Sequence, residues 1–295
     1  MFWEIDPIKI ISTMVLKEDS NEEGTKLFNL GIIEINRDPI NAHSYFQKSA
    51  STGLAKAQFN LACIYADRKL PLFNREDAIK WYKIAAKKGY APAQHNLAIL
   101  LESNNGSTES QKQAINWYQS AARAGYPPAQ INLGVLLATG DGIERDLKTA
   151  INWFSQGADQ NHVTSFYNLG VAYEEMARTN EAPIYQIYAA RWYRRGAIKG
   201  HSKSMLNLGT MLAYEVGVKK DLLTAHMWVN IAIAIACNQN RLQCRWSDTF
   251  HKGPKSSHIN HLWDLRIHIE RQLSGKQITK ANKLAAEIIS KETKL

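Results

Sequence analysis

Cysteine is scarce: Cys63, Cys237 and Cys244 are all there is in 295 residues. That excludes a small scaffold stapled by disulfides and suits a reducing compartment, with a Cys237–Cys244 bridge as the remaining alternative. Long apolar runs are missing too. The longest, Leu222 to Cys237, is interrupted by His226 and Asn230 and is too short to span a bilayer. The opening Met1-Phe2-Trp3-Glu4-Ile5-Asp6 carries acid where a secretion signal carries positive charge. A cytoplasmic chain with no membrane span is expected, non-classical secretion being the other route.

Motifs of an active site are also absent. There is no phosphate-cradling glycine loop, no His-Glu-x-x-His and no nucleophile elbow, so no catalytic residue and no enzyme is expected. The pairs Glu22-Glu23 and Glu174-Glu175 read as ordinary surface charge. Cys237, Cys244, His251, His258, His261 and His268 gather towards the C-terminus, but only His258-x-x-His261 has the close spacing of zinc ligands. No metal and no cofactor is expected.

Acidic residues run short in one region. Residues 1–190 hold 18 basic and 20 acidic residues, whereas residues 191–295 hold 18 and 7, which accounts for the net charge of +9. Arg191, Arg194, Arg195, Lys199 and Lys203 form a basic patch. Its bland reading is a solvated helix face. Its functional reading is an acidic protein partner, which such a field steers. Nucleic acid is disfavoured, because no recognised nucleic-acid module accompanies the charge.

What is abundant is repetition. An Asn-Leu-Gly or Asn-Leu-Ala triplet, with small variations, starts at Asn29, Asn60, Asn96, Asn132, Asn168 and Asn207. An Ala-x-x-Trp-Tyr-like phrase starts at Ala42, Ala78, Ala114, Ala150, Ala189 and Ala225, with spacings of 36, 36, 36, 39 and 36. Such a period means a stack of similar supersecondary units. In Gly125 to Asn161, Tyr126-Pro127-Pro128 starts a helix that carries Ala129, Leu133, Leu136 and Leu137 at helical spacing. Thr139-Gly140-Asp141-Gly142-Ile143 is a loop, Asp146 a cap, and Ala150, Trp153, Phe154, Gly157 and Ala158 a second buried stripe. The tryptophans at 81, 117, 153, 192 and 228 share one slot and read as core.

The phrase AQINLGVLLATGDGIERDLKTAINWFSQGA resembles the Sel-1-like repeat family, relatives of tetratricopeptide repeats with a longer loop between helices. The matching residues are Ala129, Leu133, Gly134, Gly140, Gly142, Asp146, Ala150, Trp153, Phe154 and Ala158. The resemblance implies an all-α, right-handed α/α superhelix (a solenoid) of about six helix–loop–helix repeats, at 22–53, 54–89, 90–125, 126–161, 162–200 and 201–236. A capping helix in 1–21 precedes them, and a basic loop and helical cap at 237–295 follow. A secreted branch of the family places a disulfide in every unit; no unit here has the pair. Repeat 2 replaces the Gly-x-Gly loop with Arg68-Lys69-Leu70-Pro71-Leu72, and repeat 3 uses Asn104-Asn105-Gly106-Ser107. Repeat 5 carries three extra residues within Arg178 to Tyr188, expected as a protruding loop.

If the tetratricopeptide geometry transfers, the residue before each triplet Asn lines a concave groove. That column is Phe28, Phe59, His95, Ile131, Tyr167 and Leu206, rimmed by Glu102, Glu174 and Glu175. Beside it runs a ladder of Asn29, Asn60, Asn96, Asn132, Asn168 and Asn207, which either holds a peptide backbone or bonds neighbouring helices. The resemblance implies a non-enzymatic scaffold or adaptor binding a peptide or protein in the groove. Two further roles stay open: an immunity protein inhibiting one toxin by tight 1:1 binding, and a secreted bacterial effector acting on host proteins. Neither the oligomeric state nor the partner is legible.

Overall fold

A computed structural model describes residues 21–103, 107–239 and 260–292. The expected capping helix before residue 21, Asn104 to Gly106, and the stretch that holds Cys244, His251 and His258 lie outside the described residues. Among the described residues there are fourteen helices and no strand. The protein is all-α.

The chain divides between Arg145 and Asp146 into two compact units. The first contains α1 (Glu22–Glu34), α2 (Pro39–Ser51), α3 (Ala55–Ala66), α4 (Arg75–Lys87), α5 (Ala91–Glu102), α6 (Thr108–Arg123) and α7 (Pro127–Thr139). The second contains α8 (Leu147–Asp159), α9 (Val163–Asn180), α10 (Ile184–Ile198), α11 (Ser202–Tyr214), α12 (Leu222–Gln239), α13 (Asn260–Glu270) and α14 (Gly275–Glu292). Within each unit every helix packs on the next in sequence, except that α14 packs on α12 and not on α13.

Local chemistry sets the boundaries. Pro39, Pro92 and Pro127 sit in first turns, where the missing N–H costs nothing. Asp38, Asn74, Ser107 and Asp146 cap the second helices of repeats 1 to 4 by accepting backbone amides. Asp146 also accepts the Thr149 hydroxyl at 2.6 Å, and these Thr149 bonds hold its carboxyl below the usual range. Gly140 ends α7 at φ +78°, a conformation L side chains resist. Gly142 faces the side chain of Gln111, which a Cβ would meet at 2.4 Å.

The repeated triplet is a packing device. Its leucines at 61, 97, 133, 169 and 208 are buried. Its glycines let an aromatic ring close in: a Cβ on Gly31 would meet Phe46 at 2.6 Å, and one on Gly170 would meet Tyr193 at 2.3 Å. The alanines that open the second phrase, from Ala42 to Ala225, are no more than 2% exposed. Each large apolar side chain buried in this way contributes roughly 1.5–3 kcal/mol.

Three expectations change. The tryptophan slot is half-buried; the fully buried ring is the next residue, Phe46, Tyr82, Tyr118, Phe154 or Tyr193. The extra residues of repeat 5 lengthen a helix instead of forming a loop: α9 runs 18 residues and only Glu181–Pro183 separates it from α10. Cys237 is disulfide-bonded, the alternative to a free thiol that the sequence left open. Cys63 is a buried free thiol pushed up to about 12 by burial. No described helix is long and apolar enough to cross a membrane.

Beyond the repeats, α13 and α14 cover α12 through a buried polar latch. His226 Nε2 and Arg266 Nε both lie 2.8 Å from Glu270 Oε1. Asn230 Nδ2 reaches Asn282 Oδ1 at 2.7 Å. Burial acts to raise the Glu270 carboxyl, but the bonds from His226 and Arg266 outweigh it and hold the group below its ordinary value.

Candidate functional site

The column before each triplet Asn does not line an open groove at four of its positions. Phe28, Phe59, His95 and Ile131 are 1–8% exposed. The cause is stacking between rings. Phe28 packs on Phe46, Phe59 on Tyr82 and His95 on Tyr118, each at 5.8 Å between centroids, and Tyr167 on Tyr193 at 6.1 Å. The residue ahead of the next repeat closes the other side: Tyr90 on Phe59, Tyr126 on His95, His201 on Tyr167. Tyr167 and Leu206 remain half-buried, and the Lys203 ammonium sits 5.8 Å above the Tyr167 ring.

The Asn ladder ties helices together. Asn96 Nδ2 donates to the Tyr82 hydroxyl at 3.2 Å, and Asn132 and Asn207 donate to those of Tyr118 and Tyr193. Those hydroxyls donate onward to Cys63 Sγ at 3.3 Å, Glu102 Oε2 at 2.8 Å and Glu174 Oε2 at 2.5 Å. One acceptor, one tyrosine and one asparagine thus join three successive helices, in three places. Asn60 and Asn168 follow repeats whose ring is Phe46 or Phe154, which have no hydroxyl; Asn60 is buried, Asn168 half-buried and Asn29 exposed. Glu102 and Glu174, expected at a groove rim, are therefore tyrosine acceptors. Burial raises the Glu174 carboxyl, partly offset by the Tyr193 bond. Glu175 pairs with Arg178.

His95 joins this network. Its Nδ1 faces Asn96 Oδ1 and its Nε2 faces Asn132 Nδ2, both at 3.1 Å. That arrangement suits a neutral ring with its proton on Nδ1. Burial holds it down to about 4.

A second repeated device left no signal strong enough to read from sequence. Gln58, Gln94 and Gln130 are buried, and each Nε2 donates to the carbonyl of Ala50, Ala86 or Ala122 at 3.1–3.3 Å. Each glutamine thereby gives a second donor to a carbonyl at the end of the preceding helix, which already accepts the amide of Gly53, Gly89 or Gly125.

The basic patch is exposed. Arg191, Arg194, Arg195 and Lys199 lie on or just beyond α10 and Lys203 on α11. The Arg195 guanidinium stacks 4.7 Å from the Trp192 ring. Also in the second unit, an open cavity of about 600 Å³ is lined by Ala213, Tyr214, Glu215, Lys220, His268, Arg271 and Gln272. Among the described residues no cluster of three or more His, Cys, Asp or Glu is placed to hold a metal ion.

The Sel1 repeat model matches residues 24–54, 55–90, 91–126, 127–162, 186–201 and 202–234, more than half of the chain. The chain belongs to the Sel1 repeat family. Comparison with curated proteins gives no match. Among solved structures, the Sel1 repeat chain is similar to a protective antigen of uropathogenic Escherichia coli with an SLR fold, at 22% identity and TM-score 0.66 over 92% of this chain and 62% of that one. It is similar to a Sel1 repeat protein from Oxalobacter formigenes at 25% identity and TM-score 0.61, over 74% of this chain and 65% of that one. It spans less than two thirds of the length of either. An immunity protein from Pseudomonas aeruginosa matches at 17% identity and TM-score 0.51, over 76% of this chain and 85% of that one. At that identity the likeness shows the fold alone.

Proposed function

We propose that this Sel1 repeat chain is a non-enzymatic protein-interaction scaffold that holds a segment of a partner protein against its repeats. The observation that carries this reading is the family match itself, repeated six times. The internal economy of the repeats supports it. Asparagine, tyrosine, glutamine and four of the six column residues are spent on joining helices, which makes a framework. Recognition then belongs to side chains that differ from repeat to repeat and reach the surface. Of the column, Tyr167 and Leu206 meet that condition.

The test is affinity capture on the immobilised full chain, followed by calorimetry with each purified candidate. An adaptor binds a short segment with modest affinity. A tight 1:1 complex with a single toxin replaces the adaptor reading with that of an immunity protein, and a host protein as sole partner replaces it with that of an effector. Tyr167→Ala, with fold checked by circular dichroism, reads the contribution of the column. Absence of any saturable protein partner sinks the scaffold reading.

A further inference from the structure

The outward face of α10 differs from those of the second helices before it. Its buried residues are Ala189, Ala190, Tyr193, Gly196 and Ala197. Turned away from them, at successive helical turns, are Ile184, Ile187, Tyr188, Arg191, Arg194, Arg195 and Ile198. Counted from the repeated alanine, Ile187 occupies the position of Glu76, Lys112 and Lys148, and Ile198 that of Lys87, Arg123 and Asp159. Where repeats 2 to 4 present charge to water, repeat 5 presents isoleucine, 37% exposed at Ile187 and 61% at Ile198. Tyr188 belongs to a surface cluster in which the rings of Tyr173, Tyr185 and Tyr188 lie 5.5–6.2 Å apart.

Arg191, Arg194, Arg195, Lys199 and Lys203 have no ion-pair partner among the described residues. From Ile184 to Tyr214 there is no Asp or Glu. The face is thus apolar and aromatic at the N-terminal end of the helix and cationic through its second half, with Ile198 exposed at the end.

We infer that the outward face of α10 is the docking surface for an acidic amphipathic segment of a partner protein, apolar side chains seating on Ile184, Ile187 and Tyr188 and carboxylates on Arg191, Arg194 and Arg195. This rests on the scaffold reading and gives it a place and a partner chemistry. Tyrosine and arginine are the side chains that carry interface energy, and the arginine fork matches a carboxylate in two bonds. A nucleic-acid backbone has no use for the isoleucines. A membrane-surface helix carries its apolar stripe along its whole length and its cations at the flanks; here the three arginines interrupt the stripe between Tyr188 and Ile198.

The experiment selects a display library of random peptides on the full chain and measures the enriched peptides against variants. Enriched peptides should combine Asp and Glu with Leu, Ile, Phe or Trp. Their affinity should fall by at least about tenfold in R191E/R194E/R195E and, separately, in I187S/Y188S. A control pair on α4, K83E/K87E, should leave it unchanged. Binding should also weaken between about 0.1 M and about 1 M salt, as the screening length drops from about 10 Å to about 3 Å. Circular dichroism and thermal midpoints establish that the variants, all at exposed positions, stay folded. Enriched peptides without acidic character, or indifferent to both α10 variants, overturn the α10 site and leave the scaffold reading standing. Binding confined to DNA oligonucleotides or to phosphatidylserine vesicles overturns it in favour of those ligands. No enrichment of any peptide, with no captured protein partner, overturns both readings.

Discussion

Tyr193 and Tyr118 occupy the same place in two repeats, but their acceptors differ in exposure. Glu174 is half-buried and Glu102 exposed. Tyr193→Phe leaves Glu174 without its donor and Asn207 without its acceptor, and should cost about 1–3 kcal/mol in urea unfolding. Tyr118→Phe should cost less, because water replaces the hydroxyl at Glu102. Equal losses would mean that the tyrosine ring, not its hydroxyl, joins the helices. His95 sets a pH dependence. Its folded value is depressed from 6.5 to about 4, so the folded chain binds fewer protons than the unfolded chain in that window. Its contribution is complete above pH 6.5 and is lost as pH falls towards 4. At about 1.4 kcal/mol per pH unit this amounts to roughly 3 kcal/mol. His95→Gln should flatten the wild-type loss of stability by about that much between pH 6.5 and 4, read from urea midpoints.

Two helix pairs depend on a glycine facing a ring, Gly31 on Phe46 and Gly170 on Tyr193. Gly170→Ala brings a Cβ to 2.3 Å from the Tyr193 ring, which is itself 0% exposed and has nowhere to go. Overpacking of this kind costs typically about 1–3 kcal/mol, and a thermal melt should show the drop. An unchanged melting temperature would mean that α9 and α10 separate at no cost. Repeats 2 and 3 already carry alanine there, Ala62 and Ala98, so the tolerance is set by how each pair sits and not by the triplet as a motif. At the far end, α13 and α14 depend on a buried charge cluster. Glu270→Ala strands His226 and Arg266, whose side chains are 0% and 10% exposed, and should destabilise by about 3–5 kcal/mol in urea unfolding.

Taken whole, the chain is held by contacts between sequence neighbours within each unit. Stability in such an architecture is a sum of local terms, so damage stays local. Gly170→Ala should speed amide hydrogen exchange in α9, α10 and α11 while α2 to α5 keep their protection. Exchange that rises uniformly through all helices would show a single cooperative block. The asymmetry of charge belongs to the same scale: the chain is near-neutral up to residue 190 and strongly basic beyond.

The period of the sequence was enough to determine the helices, their pairing order and the family, because alanine, leucine and glycine at fixed spacing admit one way of packing a pair. Asp146 as a cap was legible for the same reason: its cue is local. What the groove column does was not. Whether Phe59 or His95 faces a partner or the next repeat depends on Tyr90 and Tyr126, thirty-one residues further on in each case, which close over them. The Asn ladder was legible as a feature but undecided as a role until Tyr82, Tyr118 and Tyr193 stood opposite it. The outward isoleucines of α10 went unread because composition counts an apolar residue without saying which way it points. Burial is a relation between distant parts of the chain, and only the tertiary structure decides it.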